Sequence, residues 1–326
     1  MFKPFHSAQA LLLAACLAPS ATGTAFAQEY PTRPIKFVVG FGPGGLGDTI
    51  TRAVAQKMTA SMGQSVIVEN MPGAGGITAA AAVAKAPADG YTLLLVSGQN
   101  AIAPLLFKSL PFDPVENFAM LSTIGTFHFI LVTDKDSPLK TVRDVTAAAQ
   151  KDPARFNMGT ISVGSAQYLT ARLFASMAKI DPTIVPFKTT GEIVTSLRAG
   201  DIQVGMETTT GVIGQVRQGA LRAIATSAPN RLPFLPDVPT FVESGVPGYV
   251  SESWNGFVAP AKTPRNVVMR LNQEIAKALS APDLQKRFTE LGLEPRASSP
   301  EALKEVFLRD FAKWRTVIEQ AKIEKQ

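Results

Sequence analysis

The chain has 326 residues, too many for one ordinary hydrophobic core and comfortable for two, and 46% of them are hydrophobic against 18% charged. That balance excludes a multispanning membrane protein and, with apolar residues spread along the whole chain, a disordered one. One cysteine (Cys16) and two histidines (His6 and His128) are too few for a cysteine nucleophile, a Cys/His zinc site or a serine–histidine hydrolase.

Residues 1–27 read as a secretory signal. Lys3 gives a positive start, Ala8 to Ala18 an apolar stretch, and Ala25-Phe26-Ala27 a small-x-small cleavage site, so that the exported chain begins at Gln28. The apolar run is too short to span a bilayer. Leu13-Ala14-Ala15-Cys16 is a rival, a lipoprotein box that would lipidate Cys16. The A-x-A site favours the soluble form. Removing residues 1–27 takes away Lys3 and no acid, leaving 31 basic and 26 acidic side chains, net +5, with one histidine and no cysteine. An exported protein without disulfides must be stabilised by its core.

Ile35 to Val39 is a β-branched, apolar run ending at Gly40 and reads as a buried strand. The loop Phe41-Gly42-Pro43-Gly44-Gly45-Leu46-Gly47 follows, and Asp48 or Thr49 caps a helix running to about Met62. A strand over Ser65 to Glu69, a second glycine-rich loop at 72–76, a helix over Thr78 to Ala86 and a strand over Tyr91 to Val96 complete a parallel α/β unit. A second alternation begins near Phe127. It has strands at Phe129–Thr133, Phe156–Gly159, Ile184–Phe187, Ile202–Met206 and Leu221–Thr226. Helices at Thr141–Gln150, Ala166–Met177, Gly191–Ala199 and Gly211–Gln218 separate them. Pro229 to Pro247 reads as an ordered surface loop. Three helical stretches then follow, Thr263–Leu279, Pro282–Leu291 and Pro300–Ile323, with no strand of their own between them. They need a sheet to pack on, which predicts that the chain leaves its first domain, builds a second and returns.

Gly40-x-Gly42-x-x-Gly45 follows a strand and opens a helix, as a dinucleotide fingerprint does, with Glu69 ending the next strand. Pro43 weighs against that reading, because it removes a backbone N–H that should face a pyrophosphate. The export signal weighs against it too. Glycine- and serine-rich loops at strand ends leave backbone N–H groups at the positive end of a helix, ready for a carboxylate or a phosphate. One such loop lies in each half of the chain, at Phe41–Asp48 and at Thr160–Gln167.

Several runs together resemble Bug-type periplasmic solute-binding proteins of tripartite tricarboxylate transporters. They are Tyr30-Pro31-Thr32-Arg33-Pro34-Ile35 with Val38 to Gly45, Val68 to Gly76, Pro87 to Leu94, Leu110 to Pro114, Leu235 to Thr240, Gly245 to Tyr249, Ser253-Trp254 and Ala259 to Pro264. The resemblance implies an α/β, two-lobed, Venus-flytrap fold of type II-like form, each lobe a mostly parallel sheet flanked by helices. One lobe would comprise 28–127 and 252–326, the other 128–251. It implies a small carboxylate held between the lobes, for a membrane permease or a sensor kinase, with no cofactor, no metal and no catalysis.

Carried onto this sequence, the first pincer loop supplies Phe41, Gly44, Gly45 and Asp48, and the second Thr160, Gly164, Ser165, Ala166 and Gln167. Side walls come from Ser97, Gln99 and Asn100, from Lys188 and Thr189, and from Glu207 and Thr208. Three positions depart from the family's usual pattern. Gly42 replaces a proline, Gln99-Asn100 stands where Thr-His is common, and Glu207 stands where Asp is usual.

Each side chain also has a plainer reading. Asp48 serves as a helix N-cap, Lys188 as a solvated strand-end charge, Glu207 as an exposed loop acid, Trp254 as packing, and His128 as a hinge or core histidine. Ser165 lacks an acid–histidine pair and reads as a hydroxyl donor. The basic excess is spread out, so nucleic acid is not indicated, and the chain reads as a monomer. Two further functions stay open at this stage, a secreted NAD(P)-dependent oxidoreductase using residues 40–45 and a contact-signalling scaffold without a ligand.

Overall fold

A computed structural model describes residues 30–73, 76–161, 163, 165–320 and 325. The export signal, its cleavage site, Cys16 and Gly164 lie outside the described residues.

β1 (Ile35–Val39), β2 (Val66–Asn70) and β3 (Thr92–Ser97) are parallel, with β1 between the other two. The crossovers are α1 (Leu46–Met62) and α2 (Ile77–Ala84). After α3 (Gly98–Leu106) comes β4 (Phe118–Asp134), seventeen residues long. Its first part, to His128, pairs antiparallel with β9 (Glu252–Pro260), which pairs in turn with β3. From Phe129 onward, β4 pairs with β7 (Val204–Thr208) on one side and β8 (Leu221–Thr226) on the other. α4 (Val142–Lys151) leads from β4 into β5 (Asn157–Ile161), which is parallel to both β7 and β6 (Thr183–Phe187). α5 (Ala166–Ala178), α6 (Thr190–Ala199) and α7 (Thr209–Arg217) connect these strands. α8 (Arg265–Leu279), α9 (Pro282–Glu290) and α10 (Pro300–Gln320) close the chain.

Each sheet carries apolar side chains on both faces, as covered parallel sheets do. Ile35, Phe37 and Val39 face α1, α8 and α9, while Val38, Leu94 and Val96 face α2, Trp254 and Phe307. In the second sheet Phe129 and Leu131 face α4 and α5, and Ile130 and Val132 face α6, α7 and the 229–247 loop. Two lobes therefore hang on one continuous strand. At the crossing His128 is buried, its Nδ1 3.2 Å from the Ser251 carbonyl oxygen and its Nε2 3.6 Å from Glu294.

Three sequence expectations need correction, and one helix was not anticipated. β4 runs eleven residues N-terminal of the predicted strand, because β9 shelters the polar stretch around Ser122 and Thr123 on one side. Gly98–Leu106 is a helix, closed at its start by a capping box in which Asn100 Oδ1 accepts from the Ser97 N–H at 2.9 Å. β7 lies two residues later than predicted, so Glu207 and Thr208 belong to the strand. Between α9 and α10, β10 (Glu294–Pro295) adds a short rung to β4.

Candidate functional site

The strands deliver their loops to a cleft of about 770 Å3 between the lobes. From the first lobe it is lined by Phe41 to Gly47, Ser97, Gln99, Ser253 and Asn255, and from the second by Ser165 to Gln167, Lys188 to Thr190, Thr208, Thr210 and Gly211. Phe127, Ile161 and Val163 add apolar wall.

The first wall is a backbone surface. Gly44 sits at φ +82°, a left-handed turn that admits glycine, and the N-cap of α1 is Gly45, whose helix start no side chain caps. The positive end of α1 is thus left open toward the cleft. Gly40 serves packing instead. A Cβ there would lie 2.7 Å from Gly76 Cα, so two glycine-rich loops touch back to back at the point where the dinucleotide reading needs open space.

Asp48 is not the N-cap. It lies in the first turn of α1 and does not line the cleft. Its carboxylate accepts from the Gly44 N–H (2.9 Å), Asn70 Nδ2 (2.9 Å) and Arg52 Nε (3.0 Å), which fixes the loop from behind. Burial pushes this carboxyl up, but the Arg52 hydrogen bond, the Gly44 and Asn70 bonds and the Arg52 charge outweigh it and hold Asp48 below the usual carboxylate range.

The second wall is built from three helix starts, each with a hydroxyl cap. Ser165 Oγ accepts from the Tyr168 N–H at 3.1 Å, Thr189 Oγ1 from Glu192 at 3.2 Å and Thr208 Oγ1 from Gly211 at 3.1 Å. Ser165 also donates to the Ile161 carbonyl at 3.0 Å. Its hydroxyl is therefore committed to the helix start, which corrects the expectation of a free donor. Thr160 is buried with its hydroxyl on the Ile161 carbonyl, 3.0 Å away, and stands behind the lining.

Glu207 stands behind the lining too. It is fully buried and accepts from Thr190 Oγ1 (3.0 Å), the Thr208 N–H (3.0 Å) and, more distantly, Gln167 Nε2 (3.5 Å). Burial pushes its carboxyl up, and the Thr208, Thr190 and Gln167 bonds only partly offset this. The exposed-acid reading of Glu207 fails on this burial. The later end of β7 explains it, since position 207 falls inside the strand, on the sheet face that α6 and α7 cover, instead of in the loop after it.

The structure thus brings Phe41, Gly44, Gly45, Ser97, Gln99, Ser165, Ala166, Gln167, Lys188, Thr189 and Thr208 to the cleft, and sets Asp48, Asn100, Thr160 and Glu207 one layer back. Trp254 is packing. It is buried and its indole N–H donates to Asp310 at 2.7 Å. Residues that the sequence did not single out are Phe127, Ser253, Asn255, Thr210 and Gly211. Ser253 and Asn255 flank Trp254 in β9, and their alternation with it was the available signal. Asn255 lines the cleft, is nearly fully buried, and its buried Oδ1 has no hydrogen-bond partner.

A two-lobed α/β fold with a cleft walled by helix starts defines a solute-binding receptor, and comparison with known proteins agrees. Residues 50–323 match the tripartite tricarboxylate transporter family receptor, and the chain belongs to that family. It is 31% identical to the protein BugT of Bordetella pertussis over 90% of this chain and 91% of that protein. The R. palustris protein Rpa4515, solved with adipate, superposes with a TM-score of 0.84 at 30% identity, covering 91% of this chain and 100% of that one. MatC from Rhodopseudomonas palustris, solved with bound malate, superposes with a TM-score of 0.78 at 31% identity, covering 89% and 100%. The family is one of periplasmic receptors, not of dehydrogenases. Among the described residues no helix is long and apolar enough to cross a membrane.

Proposed function

We propose that this receptor captures a small carboxylate, a di- or tricarboxylate, an amino acid or an aromatic acid, in the cleft between its lobes and presents it to a tripartite transporter or a sensor. The observation that carries this reading is the pairing of walls. The uncapped start of α1 faces three further helix starts across the cleft, and among the described lining residues only Lys188 is charged. Such walls hold an anion with backbone and hydroxyl donors while one ammonium group adds charge. Carboxylates bound by two relatives support the class of ligand.

In this reading residues 28–127 and 252–326 form one lobe and 128–251 the other, with the crossing at His128 and Ser251 as the hinge. Residues 1–27 direct export and are removed before Gln28, and the protein works as a monomer without a cofactor. A thermal-shift screen of carboxylates, with adipate and malate included and NAD as a control, tests the reading. A ligand at a hundred times its Kd stabilises by about 2.7 kcal/mol. A shift with NAD and none with any carboxylate would refute it.

A further inference from the structure

Glu207 is a buried acid without a cation. From β4 it faces Ile130 in register, from α5 Gln167, from α6 Thr190 and from α7 Gly211, all uncharged. A Cβ on Gly211 would approach Glu207 Oε2 to 3.3 Å, so the start of α7 sits directly on the carboxylate. Three of its neighbours, Gln167, Thr190 and Thr208, are themselves cleft lining. An ionised Glu207 therefore occupies the same positive potential, from the starts of α5, α6 and α7, that a bound carboxylate would use. The two anions compete for it across a single layer of side chains.

Resting on the carboxylate reading above, we propose that Glu207 takes up one proton when a carboxylate enters the cleft, and that this proton frees the Thr190 hydroxyl for the ligand. The atoms allow it. With Glu207 ionised, Thr190 Oγ1 donates to Oε1 at 3.0 Å, while Oε2 accepts from the Thr208 N–H. A proton from solvent, placed on Oε1, reverses the first bond. Oε1–H then donates to Thr190 Oγ1, and the threonine proton turns to the cleft as a new donor. Oε2 keeps both of its bonds, and no buried group loses a partner. Glu207 is thus a positioning residue that acts through Thr190. Burial already pushes its carboxyl above the ordinary range, the direction that proton uptake needs.

Calorimetric titration with adipate and with malate between pH 6.5 and 8.5, in buffers of differing ionisation enthalpy, tests this on the unmodified protein. Both acids are ionised throughout that range. Uptake approaching one proton per ligand is expected, with affinity falling by up to tenfold per pH unit. Glu207→Gln should bind with neither uptake nor slope, because its amide already donates to Thr190 Oγ1. Binding without proton uptake in the unmodified protein would overturn the linkage and leave the carboxylate reading standing. A slope that survives in Glu207→Gln would overturn it as well, assigning the proton to another group. Failure of both acids to bind at any pH would overturn it together with the reading on which it rests.

Discussion

The two walls of the cleft each hide an acid, and the two acids are solved differently. Asp48 has Arg52 one helical turn away, at 2.9 Å, with Asn70 and the Gly44 N–H completing its shell. Glu207 has only neutral donors. Burial pushes both carboxyls up, yet the first ends below its ordinary range and the second above it. Desolvation acts at both sites but weighs more on the deeper Glu207, and only Asp48 has a guanidinium beside it, so depth and the cation together set the sign. The acid of the first wall is consequently biased toward its charged form, and that of the second toward its neutral form.

The largest effect that would separate the walls is steric. Gly42 lines the cleft, has no neighbour within 4 Å of an added Cβ, and is not among the positive-φ positions. Gly42→Trp should therefore fill the cleft from the first wall without straining the backbone. A loss of affinity on the order of a thousandfold, about 4 kcal/mol, is expected. The melting temperature should stay within about 2 °C. Undiminished binding in a folded Gly42→Trp protein would remove the first wall from the site.

Asp48→Ala comes next. It leaves the Gly44 N–H and one face of Arg52 without a partner, and about 2 kcal/mol of stability should go at pH 7. Because the folded value lies below the unfolded value near 3.9, the contribution is present above that pH and is lost as pH falls through the folded value. Urea denaturation should therefore show a large difference from the unmodified protein at pH 7 that shrinks toward pH 3.

Glu207→Gln should act with the opposite sign. A raised folded value gives a contribution fully present below the unfolded value near 4.3 and lost as pH climbs through the folded value. The variant should match the unmodified protein at pH 4 and be the more stable one at pH 8, by about 1 kcal/mol. Equal melting temperatures at both pH values would mean that the two hidden acids do not differ as described.

The first wall was legible in the sequence because glycine after a strand has few uses, and the run from Gly40 to Gly47 announces both a tight βα turn and an open helix start. The second wall was half legible. Its hydroxyl residues stood out, but whether a hydroxyl serves the helix or the ligand depends on hydrogen bonds that no spacing reveals, and Ser165 went to the helix. Asp48, Asn100, Thr160 and Glu207 were found at the right places in the chain and one layer too far forward in space. Depth follows from where a strand ends, and two more residues at the end of β7 put Glu207 within the strand and behind Thr190. Ser253 and Asn255 were missed for a different reason. They reach the cleft because β9 returns between β3 and β4, a pairing across more than a hundred residues, and their alternation with Trp254 gives their shared face but not that placement. The length of β4 was hidden in the same way, since Ser122, Thr123 and Gly125 look like a loop until β9 and β10 flank them.

The smallest effect is the one that distinguishes the caps of the two walls. α1 starts at Gly45 with no side-chain cap, whereas α5 starts at Ser165 with one. Ser165→Ala removes a bond from the Tyr168 N–H and a bond to the Ile161 carbonyl, both within the protein. The variant should lose about 0.5–1 kcal/mol of stability, the ordinary worth of a serine cap. The freed Tyr168 N–H then joins the other uncapped donors at the helix start, as at Gly45 in the first wall, so affinity for a carboxylate should change by less than about threefold, under 0.7 kcal/mol. Melting curves and titrations on one preparation read both numbers. A large loss of affinity with no loss of stability would reassign the Ser165 hydroxyl from the helix to the ligand and make the second wall a side-chain surface where the first is backbone.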